Sequence, residues 1–399
     1  MKNTLLLFFC FIFTALCAQT DDAALRKKAD ALAHRFIIVD SHVDIPWRLH
    51  GKMEDISVRT VKGDFDYVRA KQGGLSAPFM SIYVPSSYQK TKGASKRMAD
   101  TLIDMVEGLT KKNPEKFAVA KSTKDVKENF KKGLISFPMG MENGSPIEDD
   151  IKNVAYFAQR GIRYITLTHA EDNGICDASY SLNNKWNGLS PFGKQVVEEM
   201  NRCGIMIDVS HVSDKTIEQV LQITKAPVIA SHSSCRAFTP GFIRNLPDNL
   251  IKDIAKNGGV VQINFGSMFL DSATAMGFMK QRAYMASWAK ENNVTPSSKE
   301  YNAKEEAYEK ENPVQLASLD RLVEHIDHVV KLVGINHVGF GSDFDGVGDT
   351  LPEGMKDVSN YPNLIYKLLK KGYSEKDIEK ICYKNTFRVW EKVEKLAAK

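Results

Sequence analysis

Eight short apolar segments, each rich in β-branched or aromatic residues, alternate along this chain with stretches of helical periodicity. Near-continuous apolar strands that alternate with amphipathic helices are typical of a parallel sheet covered by helices on both faces. Eight such units are the number that a (β/α)8 barrel needs. The segments are 36–40, 78–84, 134–140, 163–169, 205–211, 227–232, 259–265 and 337–343.

The sequence therefore predicts an α/β fold, a (β/α)8 barrel of the TIM type, with an open doubly wound sheet as the alternative. The chain has 399 residues, whereas a barrel of this kind typically needs about 250. Segment 266–317, before the last strand, is rich in Lys, Glu, Met and Tyr. We expect it to form a helical insertion on the active-site side, because long excursions in compact domains are usually functional. A solvated helical decoration is the alternative.

The first 18 residues have the pattern of a secretory signal peptide, in which a lysine precedes an apolar run and small residues follow. We expect cleavage near Ala18, which leaves residues 19–399 as an exported catalytic domain, periplasmic or secreted, with no membrane span. Lipid attachment at Cys17 is the alternative, although Leu16 is not the small residue that usually precedes a lipidated cysteine.

Composition and charge exclude several classes of protein. The hydrophobic content of 43% and charged content of 26% are ordinary for a globular protein. The net charge of +5 is spread along the chain without a basic stripe, so nucleic acid is not an expected partner. The four cysteines after residue 18 are scattered and form no CxxC pair, which argues against a disulfide framework and a thiolate zinc site.

Residues that can bind metal or move a proton lie at or just after the ends of six predicted strands. In a barrel the carboxyl ends of all strands meet on one face, so residues distant in sequence converge there. A single histidine at a strand end is more often a satisfied core group, but coincidence is a poor explanation for the whole set. The set is His42, Asp44, Glu142, His169, His211, His232 and Asp343.

The spacing of these residues favours a metal centre. His42 and Asp44 are two positions apart and point to the same side of a strand, while His211 and His232 follow consecutive strands. Imidazole and carboxylate without thiolate suit zinc or a similar divalent ion at a catalytic site, and Glu142 could bridge two ions. Asp40 is expected to support the site by orienting a metal-bound imidazole. The run "DFDGVGD" at 343–349 imitates a calcium loop, but its glycine is misplaced for an EF-hand.

Several long motifs resemble the renal or membrane dipeptidase family, including its bacterial members. They are "DSHVDIPW", "GGLSAPFMSIYVP", "GIRYITLTH", "GLSPFGKQVVEEMNRCGIMIDVSHVSD", "PVIASHSS", "RNLPD" and "HVGFGSDFDG". The similarity extends from about residue 34 to 392 and is interrupted mainly by segment 266–317.

The resemblance implies a barrel of the amidohydrolase kind that hydrolyses dipeptides with two Zn²⁺ ions and forms a homodimer. It implies that His42 and Asp44 bind one zinc ion, that His211 and His232 bind the other, and that Glu142 bridges them. It further implies that His169 contacts the substrate and the transition state, that Asp343 shuttles the proton, and that Arg244 clamps the substrate carboxylate. The substrates would be dipeptides with a free C-terminal carboxylate, including some with D-residues.

Two departures and two other functions need consideration. The family usually has two glycines after the bridging glutamate, where this chain has Asn143 and Gly144, which puts the shape of the pocket floor in doubt. The stretch before Arg244 is one residue longer than in the mammalian enzyme, so this residue matches by motif and not by offset. The alternatives are a metal-dependent amidase or lactonase acting on another small substrate, and a non-catalytic exported metal-binding barrel.

Overall fold

The computed structural model describes residues 22–296 and 298–397, so the predicted signal segment and Cys17 lie outside the described residues. Its strands are β1 (Val39–Val43), β2 (Ala77–Tyr83), β3 (Phe117–Val119), β4 (Ile135–Phe137), β5 (Met139–Glu142), β6 (Ile162–Thr166), β7 (Met206–Asp208), β8 (Ile229–Ala230), β9 (Val260–Ile263) and β10 (Val338–Phe340). Eight of them close into a parallel barrel in the order β1-β10-β9-β8-β7-β6-β5-β2, and β3 and β4 pair separately. The predicted (β/α)8 barrel is confirmed, and the open-sheet alternative is wrong.

Helices follow most strands and cover the barrel. They are α1 (22–35), α2 (Ile45–Gly51), α3 (Tyr67–Gly73), α4 (Ala94–Lys112), α5 (Thr123–Lys131), α6 (Lys152–Arg160), α7 (Pro191–Cys203), α8 (Asp214–Ile223), α9 (Asp248–Lys256), α10 (Ser267–Leu270), α11 (Ser272–Glu291), α12 (Lys299–Glu311), α13 (Leu319–Val333), α14 (Tyr361–Lys370), α15 (Glu375–Glu379) and α16 (Asn385–Ala397). Helix α7 shows how local sequence sets the boundaries. The Ser190 side chain accepts a hydrogen bond from the Gly193 amide, proline occupies the first turn, and Gly204 ends the helix in the left-handed conformation.

Five of the eight predicted strands are longer than the observed ones, β3 was not predicted, and two further strands differ in position or continuity. The first pairs over Val39–Val43 and not over 36–40, because the apolar residues 36–38 are buried before pairing with β2 begins at Val39. The predicted third strand, 134–140, is split at Pro138. Its first half pairs with β3, and the chain then enters the barrel as β5, beside β2.

The amino end of the barrel is closed by α16. The fully buried Trp390 of this helix packs against Phe79 of β2, with ring centroids 5.2 Å apart. Burial of such large aromatic rings contributes much of the stability of a core. Because this end is filled, a ligand has to approach the strands from their carboxyl ends.

The segment between β9 and β10 contains the predicted helical insertion. Helix α11 starts at Asp271, whose side chain accepts hydrogen bonds from the Ala273 and Thr274 amides. Helix α12 packs on it through a stacked pair of rings, Tyr284 and Tyr308, whose centroids are 4.3 Å apart. Among the described residues, no helix has both the length and the apolar character needed to cross a membrane.

Candidate active site

The strand-end residues predicted from sequence meet at the carboxyl end of the barrel. His42 lies within β1, and Asp44 follows that strand as the residue before α2. Glu142 is the last residue of β5. His169, His211, His232 and Asp343 lie on the loops that leave β6, β7, β8 and β10.

Glu142 is at the centre of this cluster, and its two carboxylate oxygens face different partners. Its Oε2 lies 3.3 Å from His42 Nε2, which is in turn 3.6 Å from Asp44 Oδ2. Its Oε1 lies 3.1 Å from His211 Nε2 and 3.4 Å from His232 Nε2. The two oxygens thus have different nearest partners, although His42 and His232 also lie close enough together to form one group of possible ligands with Glu142.

The donor atoms around the two oxygens fit metal ions. Ligand bonds of about 2.0–2.1 Å in a tetrahedral site place neighbouring ligand atoms about 3.4 Å apart, close to the separations around Glu142. His42 Nε2 and Asp44 Oδ1 are buried without a hydrogen-bond partner among the described residues. Buried polar atoms are costly to leave unpaired, and both residues belong to groups of three possible ligands whose atoms lie within 4.8 Å of one another. The cluster is therefore a candidate metal centre.

The electrostatic state of the side chains suits this role. Burial lowers the pKa of His211 well below its usual value and lowers the pKa of His232 to about 3. Both imidazoles are therefore neutral at pH 7, which is the form that binds metal. Burial opposes ionisation of Glu142, but the neighbouring imidazoles, His42 most, lower its pKa well below the ordinary value. Against the effect of burial, Tyr164 and Glu142 raise the pKa of His42 well above its usual value, so this ring has to lose a proton when it binds a metal ion.

Several residues that orient the ligands were missed in the sequence analysis. The hydroxyl of Tyr164, in the middle of β6, lies 2.7 Å from His42 Nδ1. A side chain at Gly140 on β5 would overlap the Tyr164 ring, so the glycine makes room for it. On the other side, Ser231 Oγ lies 2.7 Å from His232 Nδ1 and donates to Asp208. The only sequence signal was Gly140, since a glycine inside a strand often marks a close approach.

Asp40 does not contact an imidazole, so that part of the sequence prediction is wrong. Its carboxylate accepts hydrogen bonds from the backbone amides of His42 and Ser342 and from the Tyr361 hydroxyl. These three partners use both oxygens of the carboxylate, and the His42 ring is held by Tyr164 instead. Asp40 therefore fixes the backbone at the ends of β1 and β10.

Asp343 is held beside the metal ligands by several features. Asn264 Nδ2 donates to its Oδ2 at 2.7 Å, and its Oδ1 lies 4.0 Å from His42 Nε2. Burial raises the pKa of its carboxyl group. Its φ of 64° is in the left-handed region, as is that of His211 at 68°. Such backbone conformations are unfavourable for residues other than glycine and cluster at functional sites.

His169 and Arg244 differ in their access to the cluster. His169 Nε2 lies 3.5 Å from Glu142 Oε1, and the ring is partly exposed. Arg244 is only 2% exposed, and it donates to Ser233 Oγ at 2.8 Å and to the His232 carbonyl at 2.9 Å. Its Nε has no partner among the described residues. Arg244 is thus attached to a ligand loop, with part of its donor capacity unused.

Asn143 is buried beside Glu142 and has a φ of 75°. Glycine adopts this conformation without strain, and asparagine tolerates it better than most residues. The Asn143 amide donates to the Val84 carbonyl and to Gln89 Oε1, and its oxygen accepts from the Ser145 amide. Its side chain therefore points into the protein and does not line the substrate cavity.

The ligand cluster opens into a cavity of about 500 Å³. The acids and histidines form its base, and aromatic side chains such as Trp47 and Tyr83 form its walls. The insertion helix α11 contributes Phe278 and Arg282 to the lining. A cavity of this size with convergent polar groups is typical of a small-molecule site.

Comparison with known proteins agrees with this arrangement. Residues 26–399 match the family model described as Membrane dipeptidase (Peptidase family M19). The probable dipeptidase PvdM from Pseudomonas aeruginosa is 30% identical, with a TM-score of 0.82 over 94% of this chain and 100% of that chain. A metallo peptidase from Rhodobacter sphaeroides, liganded with a phosphinate mimic of the dipeptide L-Ala-D-Ala, is 24% identical. Its TM-score is 0.73 over 90% of this chain and 99% of that chain, and at this identity it supports the fold alone. Because the family model spans nearly the whole chain, this protein belongs to the membrane dipeptidase family, whose members are metal-dependent peptidases.

Proposed function

We propose that this protein hydrolyses the peptide bond of dipeptides at a centre of two divalent metal ions, with zinc as the expected metal. The observation that carries the proposal is the position of Glu142, whose two oxygens face separate pairs of candidate ligands. One pair is His42 and Asp44, and the other is His211 and His232.

Two ions bound to these residues would supply a water of lowered pKa and Lewis acidity toward the peptide carbonyl. The remaining steps belong to side chains of the protein. His169, at the edge of the cavity, is suited to donate a hydrogen bond to the oxyanion that develops during attack. Burial lowers its pKa, so the ring would act as a neutral donor from a single N–H.

Asp343 is the proposed proton carrier. Its Oδ1 faces the ligand cluster and its Oδ2 is fixed by Asn264. The carboxylate would accept the proton of the attacking water and deliver it to the departing amine. The raised pKa of Asp343 favours this role, because a carboxyl that is easier to protonate accepts a proton more readily near neutral pH.

Arg244 is the proposed partner of the C-terminal carboxylate of the substrate. Arginine can hold a carboxylate by two parallel hydrogen bonds, a geometry that lysine does not reproduce. Its attachment to the loop of His232 would keep the carboxylate a fixed distance from the reacting carbonyl. Such a clamp restricts the leaving group to one amino acid, which favours dipeptides over longer peptides.

Metal analysis of the purified protein, combined with a dipeptide assay, tests this proposal. We expect two equivalents of metal, hydrolysis of L,L-dipeptides and of Gly-D-Ala, and loss of both activities after chelation. Arg244→Lys should reduce hydrolysis of free-acid dipeptides by about tenfold or more and have little further effect on C-terminally amidated ones. Equal losses on both substrates would argue against the clamp, and metal without turnover would argue against a dipeptidase.

Two further proposals concern where and in what form the protein works. The signal-like pattern of residues 1–18 supports export to the periplasm or the medium, which cell fractionation can test. The family resemblance supports a homodimer, which light scattering of the purified protein can test.

A further inference from the structure

One stripe of the insertion helix α11 consists mostly of buried or partly buried side chains and contains one charge. Positions 275, 278, 282, 285 and 289 follow the spacing of a single helical stripe. Ala275, Met285 and Ala289 are buried, and Phe278 is partly buried. The remaining member of the stripe is Arg282, which lines the active-site cavity instead of packing against the barrel.

Arg282 is exposed and has no ion pair or side-chain hydrogen bond within the described residues 22–296 and 298–397. Two other arginines in this part of the fold do have acidic partners: Arg236 pairs with Asp214, and Arg321 pairs with Asp271. A guanidinium that lines a cavity while its five N–H donors remain free is available to an anionic ligand.

The position of Arg282 relative to Arg244 suggests which anion it would take. Arg282 and Phe269 both line this cavity, and the Arg244 guanidinium lies over the Phe269 ring, 5.5 Å from its centroid. Arg244 is buried beside the ligand loop, whereas Arg282 lies on the insertion at the outer part of the cavity. A substrate whose C-terminal carboxylate binds at Arg244 would therefore have room to extend a second acidic group toward Arg282.

We propose that Arg282 binds the side-chain carboxylate of an aspartyl or glutamyl residue in the substrate, so that the protein prefers acidic dipeptides. This inference rests on the proposed dipeptidase function and adds a substrate class to it. The cavity base is already rich in carboxylates, from Asp44, Glu142 and Asp343. Asp44 and Glu142 are metal ligands in the proposed function, so Arg282, the one arginine or lysine among the described residues that line this cavity, is left to pair with an additional acidic group.

Isosteric substrate pairs provide the test. The rates for Ala-Glu and Ala-Gln, and for Glu-Ala and Gln-Ala, are compared with metal-loaded protein, with Ala-Ala as the neutral reference. In at least one of the two pairs we expect kcat/KM for the Glu peptide to exceed that for the Gln peptide by about fivefold or more, because Arg282 would form a charge-assisted hydrogen bond with the Glu carboxylate. Arg282→Gln should reduce that ratio to about one or below, mainly through KM, and Arg282→Lys should restore part of it.

Lys280→Gln is the matched control, since it removes the same charge from the same helix but lines a different pocket, near Asp271 and Arg321. Its Glu-to-Gln ratio should equal that of the wild type. An unchanged ratio in Arg282→Gln would overturn the inference while the hydrolysis of Ala-Ala upheld the dipeptidase. The inference would also be overturned if Arg282→Gln lowered kcat/KM equally for all dipeptides with a free C-terminal carboxylate and not for amidated ones. Arg282 would then hold the C-terminal carboxylate. If the wild type hydrolyses none of these peptides, both proposals fail.

Discussion

Asp343 carries the most specific chemical assignment in the site. Replacing it with asparagine keeps the shape and the contact with Asn264 but removes the group that accepts a proton. We expect Asp343→Asn to retain its metal content and to lose about a hundredfold or more in kcat, the usual size of a general acid–base effect. Steady-state kinetics together with metal analysis will measure this.

The matched control is Asp40→Asn, because Asp40 is also a buried aspartate but its carboxyl group contacts backbone amides. Asp40→Asn should lower the free energy of unfolding but leave kcat of the folded fraction nearly unchanged. An Asp343→Asn variant with wild-type kcat would remove Asp343 from the mechanism.

Gly346 is a second residue on which the geometry depends. A Cβ atom at this position would overlap Asp44 Oδ2 and Asp343 Oδ1. We expect Gly346→Ala to displace one of these carboxylates, and kcat/KM should fall by about tenfold or more, since small misplacements of reacting groups are costly. Circular dichroism should show that the fold is retained.

Gly108→Ala is the control for this substitution, because Gly108 lies in α4 with nothing within 4 Å of an added Cβ. Normal activity in both variants would show that the close approach to Asp44 and Asp343 is not needed.

At the scale of elements, the loop after β5 is held by Asn143. Removing its amide leaves the Val84 carbonyl and the Ser145 amide without this partner. We expect Asn143→Ala to lower the free energy of unfolding by about 2–4 kcal/mol, because unpaired buried groups cost about 1–3 kcal/mol each. Asn143→Gly should cost about 1 kcal/mol less, since glycine adopts a φ of 75° without strain.

Urea denaturation of the two variants, monitored at the same pH and metal concentration, will give both values. An alanine variant as stable as the glycine variant would show that backbone strain at position 143 is negligible.

The order of strands and helices was predictable from sequence because burial on both sides makes barrel strands apolar over their whole length. Their boundaries were less predictable, since burial and pairing do not coincide. Residues 36–38 are buried without belonging to β1, whereas the polar Ser41 and His42 are buried within it. Hydrophobicity therefore placed the first strand three residues too early.

The candidate ligands were predictable because parallel strands bring their carboxyl ends together. The residues that orient the ligands and the proposed proton carrier were not, since Tyr164 beside His42 and Asn264 beside Asp343 look like ordinary members of their segments. Their roles depend on side-chain directions across the barrel, which a single sequence does not reveal. The position of Arg282 over the cavity likewise depends on how the insertion folds back.

At the scale of the whole molecule, a partly buried pair of acids makes stability depend on pH. The Asp64 carboxylate accepts a hydrogen bond from the Asp345 amide, and Asp345 accepts one from the Asp64 amide. Burial and the charge of Asp345 raise the pKa of Asp64 from 3.8 to about 7. Arg48, which donates to Asp345 at 3.0 Å, compensates only part of this cost.

The raised pKa of Asp64 determines the direction of the effect. Between pH 4 and 7 the folded protein binds the proton that the unfolded chain has already released, so the contribution of Asp64 to stability falls as the pH rises. Above pH 7 Asp64 is ionised in both the folded and the unfolded protein, so its unfavourable contribution to stability no longer changes with pH. Asp64→Asn imitates the protonated acid and removes this dependence, so the variant should gain roughly 4 kcal/mol over the wild type between pH 4 and pH 8, because the pKa shift is about three units and one unit corresponds to about 1.4 kcal/mol.

Thermal and urea unfolding of chelator-treated protein will measure this gain without interference from metal binding, which also depends on pH. Asp149→Asn is the matched control, because it removes the same charge from an exposed position and should follow the wild-type pH profile. Parallel pH profiles for Asp64→Asn and the wild type would mean that Asp64 is already ionised in the folded protein. The charge of Arg48 would then stabilise both carboxylates. Arg48, on α2, would form an ion pair with Asp345, on the loop of Asp343, at every pH tested.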